Sequence, residues 1–166
     1  MTAVEVARYF WQNPIKDWDV ELMLAGAEEV GLIGSQHYVK HADLTNTVVI
    51  NFDNVGFDNV FVINHTKTFS TIDYTHFDLY KTARTVAETT PKYKSIIERP
   101  FRTTNVDSAP FAQKGVPSLT ITSVDKNGLP TFIHRPEDTL SNVNPDSVQL
   151  TIDYTIDIVK KYTQHV

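Results

Sequence analysis

Apolar residues in "AVEVARYFWQNP" (3–14) recur at helical spacing, with Val6 and Phe10 on one face and Asn13-Pro14 as a stop. "DVELMLAGA" (19–27) is a short apolar run that passes into small residues, the pattern of a buried strand in an α/β sheet. Ser35 is placed to cap a short helix, "QHYVKH". "TVVINFDNVG" (47–56) and "NVFVIN" (59–64) are expected to be strands paired through a tight turn at Gly56 to Asn59. "THFDLYKTARTVAETT" (75–90) has helical periodicity and is followed by Pro91, and "PSLTITSV" (117–124) is a further strand. From Asn144 to the end the pattern predicts a helix with Asp146 and Ser147 in its first turn and Val148, Ile152, Ile156 and Val159 on one face. Strands alternating with helices, without repeats or linkers, predict one domain over 1–166, a three-layer α/β/α sandwich.

The chain has 166 residues, enough for one domain with a core. Apolar residues make up 41% and charged residues 21%, an ordinary globular balance. The net charge of -5 and the lack of a basic run argue against nucleic acid and anionic membranes as partners. There is no cysteine, which excludes disulfides and thiolate metal sites. No apolar stretch reaches the ~20 residues of a membrane helix, and "TAVEVARYFW" lacks the pattern of a secretory leader. Compartment is left open.

The acids concentrate where strands are expected to end. The first predicted strand runs into Glu28-Glu29, the second into Asp53, and the last leads to "FIHRPEDTL" with His134 and Asp138. Ligands of open α/β sheets bind beyond the carboxyl ends of strands, so Glu29, Asp53 and His134 can converge. Carboxylate and imidazole are the ligands zinc takes in sites without cysteine, and a neighbouring free acid can serve as general base. The same residues also have plain readings. The Glu pair can be a solvated loop, Asp53 and Asp138 turn residues, and His134 a surface histidine. Asn64-His65-Thr66 forms a glycosylation triplet of a kind that arises by chance. The tail "KKYTQHV" reads as a solvated helix end.

In order, "AEEVGLIGSQHYVKH", "VVINFDNVG", "DSAPFAQKGVPSLTIT" and "IHRPEDTLSNVNPDSV" resemble the co-catalytic di-zinc aminopeptidases over nearly the whole chain. Their superfamily includes glutaminyl cyclases and transferrin-receptor-like domains. The resemblance implies a zinc-exopeptidase fold with a mixed central sheet, two zinc ions, and hydrolysis at peptide N-termini. It makes Glu28 the general base and Glu29 a ligand of one zinc, which His134 shares. It makes Asp53 a ligand of the other. Water between the metals would attack the peptide carbonyl while Glu28 removes its proton. Adjacent side chains point apart, so one glutamate can reach a metal while the other reaches that water. Asp107 and Asp138 are candidates to support the ligands from behind. Where the family often has Ser-Asp-His before a Pro-Phe segment, this chain has Val106-Asp107-Ser108, so a substrate role for that histidine is not carried over.

The resemblance also implies two ligands that the chain lacks: the histidine of a His-x-Asp strand end and the bridging aspartate of Asp-Asn-x-x-Gly. The one His-x-Asp match, "HFD" at 76–78, falls in a predicted helix and out of the family's order. "MTAVEVARYF" resembles the residues that follow Asp-Asn-x-x-Gly. Three expectations follow. The chain can be the C-terminal part of an aminopeptidase, nearly inactive alone; a non-catalytic binding domain of the same descent; or a subunit whose missing ligands come from another chain in an oligomer. The first is favoured here, because Glu28, Glu29, Asp53 and His134 are all retained.

Overall fold

A computed structural model describes residues 1–67, 71–101 and 106–164. In chain order the elements are α1 (Thr2–Gln12), α2 (Ile33–His41), β1 (Val49–Phe52), β2 (Asn59–Lys67), β3 (Thr71–Asp73), α3 (Asp78–Thr89), β4 (Ile97–Phe101), α4 (Ala109–Gln113), β5 (Ser118–Val124) and α5 (Pro145–Tyr162). The sheet runs β1-β5-β2-β3, with β4 also paired to β2. β1 is parallel to β5 (Val49 opposite Ser118) and β4 is parallel to β2, while β5 and β3 are antiparallel to β2. Helices α1, α3 and α5 pack together on one face, and α2 packs with α4. The result is a mixed α/β sandwich, as the alternation of elements predicts.

β5 is central because its sequence permits nothing else. "SLTITSV" has no charge, and all seven residues are buried. A strand buried on both faces needs neighbours on both edges. β5 therefore takes β1 on one side and β2 on the other. This overturns the expected hairpin, since β1 and β2 are separated by β5 rather than paired. The segment between them is a turn held from β5. Ser123 Oγ accepts from the Gly56 and Phe57 amides, at 3.2 and 3.3 Å, and the Asn54 carbonyl accepts from Ser123 N.

The predicted strand at 19–27 is not one. It is an irregular segment with no ladder partner among the described residues. Its side chains favour an extended chain, but a strand also needs a second backbone to satisfy its amides, which local sequence cannot supply. Side chains anchor it instead: Trp11 Nε1 donates to the Val20 carbonyl, and the Tyr38 hydroxyl donates to Glu21. An open groove of about 600 Å³ lies between this segment, α1, α5 and β1.

Two helix expectations also change. α2 starts at Ile33 behind a left-handed Leu32, and Ser35 is not its cap but a buried first-turn residue whose hydroxyl donates to the Leu32 carbonyl. In α5 the predicted stripe of Val148, Ile152, Ile156 and Val159 is only half-buried. The fully buried face is Ser147, Thr151, Tyr154, Thr155, Ile158 and Tyr162. Thr151 and Thr155 donate to carbonyls four residues back, so their hydroxyls are satisfied without water and hydrophobicity alone misplaces the stripe. α1 buries Val6 and Phe10 as expected. The core gathers Phe61, Ile63, Leu119, Ile121 and Ile158 with Tyr74, Tyr80, Tyr93 and Tyr154. α3 begins at Asp78, so His76 stands exposed in the turn before it. Asn64 lies in β2, but the side chains of His65 and Thr66, and the tail residues His165 and Val166, are outside the described residues. No described helix is long and apolar enough to cross a membrane.

Candidate metal centre

Glu28 and Glu29 occupy a tight turn that reverses the irregular segment into α2. The Glu28 carbonyl accepts from the Gly31 and Leu32 amides, and the Gly26 carbonyl accepts from Gly34 N at 3.0 Å. The turn closes only where backbones can touch: a Cβ on Gly34 would lie 2.5 Å from the Gly26 carbonyl oxygen. Asp53 directly follows β1, its amide donating to the Ile121 carbonyl on β5. His134 belongs to the loop after β5, 105 residues from Glu29 in sequence, yet its Nε2–H donates to Glu29 Oε1 at 2.5 Å.

Left-handed backbone clusters at these positions. Among the described residues seven non-glycine positions have positive φ, and Ala27, Leu32, Asn54, Phe132 and His134 flank or belong to the three site segments. Such conformations are costly for residues with a Cβ and persist where the surrounding structure enforces them. No composition or periodicity signal announces them.

The electrostatics show that these segments meet. Burial, then the charges of Asp53, Glu29 and Asp107, push the Glu28 carboxyl above its ordinary range, with His134 opposing. Burial, then Asp107 and Glu29, push Asp53 upward, again against His134. His134 is itself raised, first by its hydrogen bond to Glu29 and then by that carboxylate's charge. Asp107 therefore joins the group, and its Oδ1 is buried with no hydrogen-bond partner among the described residues. Asp138 does not join: it is exposed, and its carboxylate makes no hydrogen bond or ion pair among the described residues.

Four carboxylates thus share one neighbourhood with a single imidazole, and one buried carboxylate oxygen is unsatisfied. A cluster this short of positive charge, built from the oxygen and nitrogen donors that zinc accepts, fits a divalent cation in kind. Glu29 and His134 are the exposed donors of the cluster, and Asp53 lies deeper. The cage is not complete, since among the described residues no three His, Asp or Glu groups are placed to hold one ion.

A mixed sheet between helix layers, with acids and an imidazole gathered beyond β1 and β5, defines a domain of the zinc-exopeptidase fold. The sequence profile of Peptidase family M28 matches residues 1–159, and the chain belongs to that family. Among solved structures it is similar to a zinc aminopeptidase from Bacillus subtilis, at 25% identity and a TM-score of 0.79, over 97% of this chain and 40% of that one. It shares its fold with an aminopeptidase from Aneurinibacillus sp. strain AM-1 (18% identity, TM-score 0.73, 95% of this chain and 36% of that one). The fold is also that of a Bacteroides thetaiotaomicron glutaminyl cyclase bound to N-acetylhistamine (15% identity, TM-score 0.70, 95% of this chain and 59% of that one). The chain therefore spans about 40% of the length of the Bacillus enzyme. No curated protein sequence gives a significant match.

Proposed function

We propose that this chain carries the general base and part of the ligand set of a zinc-dependent aminopeptidase that acts on peptide N-termini. The supporting observation is the convergence of Glu28, Glu29, Asp53 and His134 from three distant segments. Glu29 and His134 would hold one zinc ion and Asp53 a second. Zinc, when bound, supplies Lewis-acid polarisation of the reacting carbonyl and lowers the pKa of water. Glu28 is partly buried and holds its proton more firmly than an ordinary carboxyl. That suits a group that takes a proton from the attacking water and passes it to the leaving amine. Asp107 is a positioning residue beside Asp53.

The three ligands are divided between two ions, fewer for each than the three that catalytic zinc sites normally supply. We therefore expect these 166 residues to be nearly inactive alone. The direct pairing of Glu29 with His134 favours a second reading, a non-catalytic binding domain in which the two groups satisfy each other.

Zinc stoichiometry on the purified chain separates these readings, with Glu29→Ala and Glu28→Gln as variants. Zinc that is lost in Glu29→Ala but kept in Glu28→Gln supports the peptidase assignment. Equal zinc loss in both variants overturns the division of roles. A chain that takes up no zinc is non-catalytic as it stands. Zinc uptake accompanied by a doubled particle mass assigns the missing ligands to a second copy.

A further inference from the structure

His37 and His41 lie on α2, in the turns that lead away from the Glu28-Glu29 loop. They are four residues apart in "HYVKH", the H-x3-H spacing that recurs among zinc ligands. On a helix this spacing sets two side chains one above the other on one face. Their ring centroids are 4.2 Å apart with planes tilted by 33°, and both residues are exposed, so an ion has access to both rings. None of the residues of the candidate centre is a partner of either ring.

The hydrogen bonding supplies an independent indication. His41 Nδ1 is 2.7 Å from the His37 carbonyl oxygen. A carbonyl only accepts, so Nδ1 must carry the hydrogen. When the ring is neutral, the lone pair is then on Nε2, which has no partner among the described residues. Metal-bound histidines use this arrangement, one ring nitrogen donating to a carbonyl so that the tautomer is fixed and the other nitrogen is free to ligate. His41 also stands in the last turn of α2, where the negative end of the helix dipole favours a cation, although Lys40 in the same turn opposes it.

We propose that His37 and His41 form a second metal site, a two-imidazole chelate for a divalent transition-metal ion on the exposed face of α2. Two imidazoles leave the remaining coordination positions to water, so the ion exchanges freely. Among first-row divalent ions Cu²⁺ binds most strongly to nitrogen ligands, then Ni²⁺ and Zn²⁺, which makes Cu²⁺ the sensitive probe. The site does not depend on the peptidase reading, and its test uses variants that separate the two.

The experiment is a Cu²⁺ titration of the untagged full chain at mildly alkaline pH, read by electron paramagnetic resonance. The variants are His37→Ala, His41→Ala and His134→Ala, each checked for folding by circular dichroism. The expected spectrum shows two coordinated imidazole nitrogens, one Cu²⁺ per chain, lost in both His37→Ala and His41→Ala and kept in His134→Ala. A two-nitrogen signal that survives either α2 variant overturns the proposal, as does one that disappears in His134→Ala. Loss in only one of the α2 variants indicates a single surface imidazole and also overturns it. Cu²⁺ broadening of histidine ring protons in the unaltered chain gives a check that needs no variant. Broadening confined to His37 and His41 supports the site, and broadening elsewhere first refutes it.

Discussion

Gly34→Ala tests how the acidic turn is held. A Cβ at this position meets two backbone atoms of Gly26, the carbonyl oxygen at 2.5 Å and the nitrogen at 2.7 Å. Ordinary contact starts at 3.4 Å and real Cβ contacts essentially never fall below 3.0 Å, so the irregular segment and the start of α2 must part by roughly 0.5–0.9 Å. The obstructing atoms are backbone, and no rotamer change relieves the clash. The Gly34–Gly26 hydrogen bond of 3.0 Å lengthens at the same time. Overpacking of this kind costs about 1–3 kcal/mol. With a urea slope of about 2 kcal/mol/M, the unfolding midpoint should fall by about 0.5–1.5 M. The displacement also moves Glu29, which follows Gly26 by three residues and holds His134 at 2.5 Å. The raised His134 pKa should therefore drop toward the ordinary imidazole value, as read by NMR titration of its ring protons. Gly26→Ala is the matched control, since its new methyl meets nothing within 4 Å, and it should stay within about 0.5 kcal/mol of the parent. If Gly34→Ala leaves both the urea midpoint and the His134 titration unchanged, close backbone contact does not hold the turn.

Other outcomes follow from the same geometry. Glu29→Gln should lower the His134 pKa, because it removes the charge that sits at the hydrogen bond; an unchanged NMR midpoint would show that the contact does not persist in solution. A raised histidine contributes stability below its unfolded pKa and loses it as pH rises through the folded value, so Glu29→Gln should remove a stability increment on the acid side of that window. Asp53 and Glu28 also have raised pKa values. Without metal, the folded chain should be favoured below the ordinary carboxylate range and lose that advantage as pH rises through their folded values. Asp53→Asn should therefore stabilise the metal-free chain at neutral pH and flatten this dependence in urea melts; destabilisation would count against like-charge crowding. In the core, Ile121→Ala on fully buried β5 should cost about 2–5 kcal/mol in the same melts.

Much of this protein is written locally. The periodicity of α1 buries Val6 and Phe10, the uncharged run of β5 demands a central position, and Glu28, Glu29, Asp53 and His134 are distinguishable in the order in which they stand. The motif order is enough to name the family, because it reflects spacing along one chain. The tertiary structure decided which backbones pair. β5 rather than β2 lies beside β1, and the extended, apolar 19–27 is not a strand, because a ladder requires a partner whose position no local pattern encodes. It also decided the buried face of α5, where threonines bonded to their own helix replace the expected aliphatic stripe. At the centre, sequence offered both Asp107 and Asp138 as supports, and only folding brought Asp107 against Asp53 and left Asp138 in solvent. Charge and hydrogen-bonding capacity are properties of residues, and they become a site only when distant segments fix the distances between them.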